Sequence, residues 1–119
     1  MIAGKIWGNT HDVFARNDVS VKLVHLDKGK RCSKHRHLHK HNLFYLVSGI
    51  MRIKVWKKDY DLCDETVLYP DQVCVVPPGE FHLFEALQDC VALEVYYVVL
   101  NEGDIERETV GGSFDQTSK

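Results

Sequence analysis

The chain has 119 residues, of which 45% are hydrophobic and 27% are charged, and its formal net charge is −2. A chain of this length forms one domain around one core, so we predict a single domain over residues 1–119, with its core at about 18–100 and a loosely held tail at about 101–119. The nearly balanced charge argues against nucleic acid or an anionic membrane as a partner, and no stretch has the apolar length of a membrane span.

From its N-terminus onward the chain reads as a series of short β-forming runs divided by turns. Residues 1–18 alternate polar with apolar residues and lack the hydrophobic core of a signal peptide, which predicts a cytoplasmic protein. Turn signals occur at Gly29, at Ser48–Gly49 and at Pro77–Gly79. Because no long helical pattern occurs, we predict an all-β antiparallel barrel or jelly roll with an interior cavity. The later runs cover residues 19–26, 42–49, 50–58, 66–69, 73–76, 81–87 and 90–100.

Histidines are concentrated in the stretch "HRHLHKHN", which places His35, His37, His39 and His41 on every second position. An extended strand would direct all four side chains to one face, whereas a helix would scatter them. Imidazole is a ligand for zinc, iron, nickel and manganese, and such a site needs a further ligand from another segment. His82, directly after a tight turn, is the candidate. The alternatives are a solvated strand edge or a histidine-rich tract that binds metal adventitiously.

The first half of this pattern resembles the first sequence motif of the cupin family. That motif consists of a glycine, five residues, H-x-H, three or four residues, a glutamate, six residues and a glycine. The chain matches this motif with Gly29, His35, His37, Asn42 and Gly49, and Asn42 stands in place of the glutamate.

The second cupin motif is matched at the correct separation along the chain. It consists of a glycine, five residues, Pro-x-Gly, two residues, a histidine, three residues and an asparagine. The chain matches this motif with Asp71, Pro77, Gly79, His82 and Ala86. Asp71 stands in place of the first glycine and Ala86 in place of the asparagine. The resemblance spans residues 29–86 and implies a double-stranded β-helix, the jelly roll of the cupins, with a bound divalent metal ion.

Within the cupins, the chain is similar to the cupin domain of mannose-6-phosphate isomerase type II. "HKHNLFYLVSG" resembles the "HRAEHWVVVSG" of that branch, and this alignment makes His37 and His39 the H-x-H pair. His37 and His82 belong to both alignments, so the predicted ligands are His35, His37, His39 and His82, with His41 ranked last. The likeness implies a divalent zinc, iron, nickel or manganese ion and an isomerase-like activity on a small sugar-like or carboxylated molecule.

Asn42 weakens the expectation of catalysis, because an amide supplies neither the charge nor the basicity of glutamate. The alternatives are therefore a non-catalytic cupin that binds a small molecule or metal, and a fold remnant within a larger assembly. Glu94 would be a candidate base if it faced the interior, but its residue type favours the outer face of the sheet. Phe44, Leu46 and Phe84 share parity with Asn42 or His82 and are expected to line an apolar pocket.

The four cysteines stand without any CxxC pair, which favours reduced thiols in a cytoplasmic chain. Cys32 lies close to the histidines, but without a second thiol at ligand spacing it is interpreted as a packed small hydrophobe. A short jelly roll has exposed edge strands, which need cover. We therefore expect a homodimer, in which the N-terminal "GKIWGNTHDVF" segment pairs across a twofold axis.

Overall fold

The structure is a computed structural model, and it describes residues 2–57 and 62–98 together with Glu108 and Ser113. The predicted loose tail therefore lies outside the described residues, apart from those two positions. Nine strands and no helix occur in the described part, so no helix there is long and apolar enough to cross a membrane. The strands are β1 (Ile2–Lys5), β2 (Gly8–Ala15), β3 (Val19–Leu26), β4 (His41–Ser48), β5 (Met51–Trp56), β6 (Cys63–Leu68), β7 (Val73–Val76), β8 (Phe81–Ala86) and β9 (Cys90–Tyr97).

The strands form two antiparallel sheets. The larger sheet has the order β1-β2-β3-β9-β4-β7, and the smaller has the order β6-β5-β8. β4 pairs with β9 and β7, and therefore with no strand next to it in sequence, as a jelly roll requires. The prediction of an all-β jelly roll is confirmed.

The core lies between the inner faces of the two sheets. Phe44 and Leu46 on β4 face Ile53 on β5 and Phe84 on β8, and each of these side chains is at most 2% exposed. Burial of a large apolar side chain contributes about 1.5–3 kcal/mol, so these alternating positions carry much of the stability of the fold. Phe44, Leu46 and Phe84 were expected to line an apolar pocket; Phe84 borders a pocket, whereas Phe44 and Leu46 are core residues.

The histidine-rich stretch is not the single strand that its spacing predicts. Residues 27–40 form an irregular connection, and β4 begins only at His41. The connection is attached to β8 at isolated points. His35 and His82 exchange both backbone N–H···O bonds at 3.0 and 2.8 Å, and Cys32 donates to the carbonyl of Phe84 at 3.1 Å. The prediction of one continuous strand is wrong because the segment pairs with β8 only at intervals.

Glu85 lies on the outer face of the smaller sheet, three residues after His82 in β8. Its carboxylate accepts a hydrogen bond from Arg52 at 2.7 Å and lies 3.6 Å from both Lys54 and Arg31. Burial acts to raise the pKa of Glu85, but these three cations outweigh it and hold the pKa below its ordinary value. Glu85 is therefore an ion-pairing residue of the sheet surface and takes no part in the interior site.

The N-terminal segment contains two strands, and its pairing across a twofold axis stays a prediction. It forms a hairpin of β1 and β2, and β2 pairs with β3 of the same chain. The segment therefore satisfies its backbone within one chain and leaves β1 at the edge of the larger sheet. All four cysteines are free: Cys32 and Cys90 are buried, Cys74 is half-buried and Cys63 is exposed.

Candidate metal centre

Three histidines from two segments converge inside the fold. His35 and His37 come from the irregular connection and His82 from β8, and one ring nitrogen of each lies within 4.8 Å of the others. The ring centroids of His35 and His82 are 4.5 Å apart, because the backbone bridge between these two residues holds them side by side. We refer to these three residues as the histidine triad.

The ring nitrogens of the triad differ in their hydrogen-bond partners. Nδ1 of His35 lies 2.7 Å from the carbonyl oxygen of Ser33, and Nδ1 of His82 lies 3.1 Å from that of Glu80. A carbonyl oxygen only accepts, so Nδ1 of His35 carries the proton and its Nε2 keeps the lone pair. His82 has an acceptor at each ring nitrogen, since its Nε2 faces Oδ1 of Asn42, and the neutral ring donates to one of the two. Nε2 of His37 is buried and has no hydrogen-bond partner. Donation of the second ring N–H to a carbonyl is the usual arrangement of metal-bound histidine, so the triad fits a metal ion.

Two of the three histidines, His37 and His82, have lowered pKa values, so protons compete less with a metal ion for their nitrogens. Burial, with further contributions from His35 and His82, lowers the pKa of His37 to about 4. Burial likewise lowers the pKa of His82. Since only the neutral imidazole can coordinate a metal, both rings are ready to bind at neutral pH.

Asn42 occupies the position where the cupin motif has glutamate. Its side chain is buried, and Oδ1 lies 3.0 Å from Nε2 of His82. The amide therefore reaches the triad but adds no negative charge to it. A metal ion bound here would have three neutral imidazoles and at most a neutral amide oxygen from the protein.

The structure does not bring His39 and His41 to the triad. His39 is exposed, whereas His41 starts β4 and stacks on Tyr97 with ring centroids 5.1 Å apart. The chain turns after His37, whose carbonyl accepts a hydrogen bond from the amide of Gly79 at 2.7 Å. Three of the four predicted ligands are thus together, and the fourth, His39, lies outside.

Glu94 faces the interior, so the outer position favoured by its residue type is wrong. It is 5% exposed and lies opposite Phe44 across the β4–β9 pairing. Burial raises the pKa of Glu94, although Tyr96, Lys22 and other polar neighbours act in the opposite direction. Burial and the adjacent Glu94 also raise the pKa of the Tyr96 hydroxyl.

A pocket of about 180 Å³ lies beside the triad. Glu94 and Tyr96 reach it from β9, and His35 brings the triad to its wall. Cys32 also lines it, and burial raises the pKa of this thiol to about 12, so the sulfur stays protonated and is a poor metal ligand. Phe84, which was expected to line a pocket, also lines this one. The sequence gives no signal for several other lining residues, which are Lys5, Trp7, Thr10, Lys22 and Ser33.

Comparison with solved structures identifies the fold. KdgF from Halomonas sp. is 19% identical, with a TM-score of 0.65 over 77% of this chain and 81% of that protein. A cupin superfamily protein from Desulfitobacterium hafniense is 16% identical, with a TM-score of 0.61 over 76% of each chain. The chain has the cupin fold. Oxalate decarboxylase from Bacillus subtilis, here a variant, is 15% identical, with a TM-score of 0.73 over 82% of this chain and 27% of that one.

No family model and no curated protein matches the sequence. At these identities the cupin likeness extends to the architecture alone, and residue roles follow from the geometry of this chain.

We predict that Asn42→Asp increases the affinity for zinc by about tenfold or more, because the carboxylate adds a charged oxygen ligand beside the triad. Without metal, the same variant should unfold at a lower temperature, since a second carboxyl is buried near Glu94. Thermal unfolding with and without zinc, together with a competitive zinc titration, measures both effects. Asn17→Asp, which makes the same charge change at an exposed turn, is the control. An unchanged zinc affinity in folded Asn42→Asp would show that Asn42 does not lie next to the ion.

Proposed function

We propose that this protein is a metal-dependent cupin enzyme that acts on a small sugar-like or carboxylated molecule. The convergence of three imidazole nitrogens supports a divalent zinc, iron, nickel or manganese ion at His35, His37 and His82. When bound, such an ion would polarise an oxygen of the substrate or a bound water. The pocket beside the triad supplies the space for the substrate.

Glu94 is the candidate for proton transfer. It lines the pocket with His35, and it is the only carboxyl among the residues that line it. A buried carboxyl whose pKa is raised by burial is suited to accept a proton from carbon and return it to a neighbouring atom. That sequence of transfers converts a hydroxy ketone into its isomer without any oxidant. Together with the resemblance to mannose-6-phosphate isomerase type II, it favours an isomerase.

A non-catalytic binding cupin is the second candidate. Asn42 favours it, because a site of neutral ligands lacks the carboxylate of the cupin motif and would hold its metal less tightly. In that case the triad and pocket would capture a ligand, and Glu94 would only fix its orientation.

We also propose a homodimer, formed through the outer face of the larger sheet. Two rows of apolar side chains run across β7, β4, β9 and β3 on this face, and their footprint is about 250 Å² from strand spacings. A contiguous apolar face of this kind is suited to contact another protein surface, and a symmetric second copy is the commonest arrangement of an oligomer. The rows are Val75, Leu43, Val95 and Val21, and Val73, Tyr45, Leu93 and Leu23.

The first prediction from the proposed function concerns the metal content of histidine variants. His37→Ala and His82→Ala should each lose bound divalent metal, because neither has a replacement ligand within the triad. His39→Ala and His41→Ala should keep the metal, because these rings lie elsewhere. Metal analysis after loading and dialysis decides the matter, with circular dichroism to confirm that each variant is folded. Loss of metal in His39→Ala but not in His37→Ala would contradict the assignment.

The second prediction separates the enzyme from the binding module. Metal-loaded protein in D₂O should exchange a carbon-bound hydrogen of at least one compound in a panel of sugar phosphates and hydroxy ketones, as followed by proton NMR. Glu94→Gln should slow this exchange by about 100-fold or more while keeping the metal. Glu65→Gln, on the surface of the smaller sheet, is the control. If a compound binds the metal-loaded protein but none exchanges, the binding module is correct.

The third prediction tests the dimer. Sedimentation velocity at micromolar concentration should show a dimer for the native chain and a monomer for Val75→Lys, which places a charge in the apolar face. Val67→Lys, at a residue of similar exposure on β6, should remain dimeric. A monomeric native chain excludes the proposed interface.

A further inference from the structure

Lys22 is a lysine on the inner face of the larger sheet. It shares its side of β3 with Val24 and Leu26, both 1% exposed in the core, and it is itself half-buried. Its side chain lines the 180 Å³ pocket, and its ammonium lies 5.7 Å from the centre of the Tyr96 ring. Lysine is among the residues least often placed in an interior, so this position needs an explanation.

No direct ion pair accounts for it, although its charge is near enough to Glu94 to act on the pKa of that carboxyl. Among the described residues, no carboxylate oxygen lies within 4.0 Å of the ammonium of Lys22 or of Lys5, the other lysine of the pocket. Asp12 and Glu94 are the register neighbours of Lys22 on β2 and β9, but neither forms an ion pair with it. A half-buried ammonium without an anion is unfavourable, and a bound anion would remove that penalty.

The surroundings of the pocket are also cationic. A wider cavity of about 710 Å³ shares Lys5, Trp7, Cys32 and Ser33 with the inner pocket and is also lined by Arg31. This cavity offers a route from solvent to the inner pocket. Arg31 already lies 3.6 Å from Glu85 and is mostly exposed, so it contributes to the field rather than to a specific contact. Among the described residues along this route, Lys22 is therefore the innermost cationic side chain that forms no ion pair.

We propose that Lys22 binds the anionic group, a carboxylate or a phosphate, of the small molecule that occupies this pocket. The proposal rests on the proposed function, since it names the chemical class of the substrate, but anion binding at Lys22 does not itself require a metal. An ammonium forms strong charge-assisted hydrogen bonds with either group. Lys5, at the mouth, would add a second and weaker attraction.

The volume of the inner pocket limits the part of a ligand that it can hold. A cavity of about 150 Å³ holds benzene, so a pocket of 180 Å³ accommodates about six to ten non-hydrogen atoms. The ligand would extend from Lys22 past Glu94 to His35. The part of a ligand that enters this pocket is thus about the size of a short hydroxylated acid or phosphate ester.

Three probes with one carbon skeleton test this inference: glycerol, glycerate and glycerol 3-phosphate. Binding to the full chain is followed by NMR titration, both after metal removal by chelation and after zinc loading. In the metal-free protein we expect glycerate or glycerol 3-phosphate to bind at least about tenfold more tightly than glycerol. The comparison of the two anions shows which source of negative charge the pocket prefers. Lys22→Gln should abolish the advantage over glycerol.

Lys28→Gln is the matched control, because it removes the same charge from an exposed turn, and it should bind the probes as the native chain does. Equal binding of the anions by the native chain and Lys22→Gln would overturn the inference, as would equal binding of glycerol and both anions by the native chain. Metal content is measured on the same samples. A chain that binds the anions through Lys22 but no metal would retain this inference and reject the metal-dependent function.

Discussion

The candidate site depends on one pair of backbone hydrogen bonds, those that His35 and His82 exchange. Further backbone bonds, from Cys32 to the carbonyl of Phe84 and from Gly79 to that of His37, hold the connection between β3 and β4 on either side of this pair. With these bonds in place, the imidazoles of two distant segments lie 4.5 Å apart between ring centroids, and Nδ1 of each ring meets a nearby carbonyl. The backbone therefore positions the ligands before any ion binds, which lowers the entropic cost of assembling the site.

The site combines imidazole and amide ligands with a lysine, Lys22, that forms no ion pair. Burial lowers the pKa of His37 and of His82, Asn42 carries no charge, and Glu94 is buried where ionisation is disfavoured. A divalent ion here would meet little opposing negative charge from the protein, so an anionic ligand would help to balance it. The ammonium of Lys22 and a metal ion at the triad would then attract the two ends of one ligand, and the separation of the two cations would select its length.

The sequence predicted the parts of this molecule that depend on local pattern. Turn signals and alternation located most strands, and the two motifs brought His35, His37 and His82 together. It did not predict the position of His39, because a spacing of two residues indicates a strand only where the backbone stays extended. It misplaced Glu94 because β9 has apolar residues on both faces, so alternation did not identify the inner one. Lys22 had no signal, since its role depends on which strands meet around the pocket.

The burial of Glu94 has a consequence for the tolerance of the fold to change. In a strand that is otherwise apolar, an interior carboxyl opposes stability, and a leucine of similar size at this position would suit the core better. Selection for stability alone would therefore remove it, as it would remove the interior ammonium of Lys22. Residues that make a core less stable are typically retained where activity requires them. Variants of this chain selected only for heat resistance would be expected to lose these two polar groups first, and the chemistry of the pocket with them.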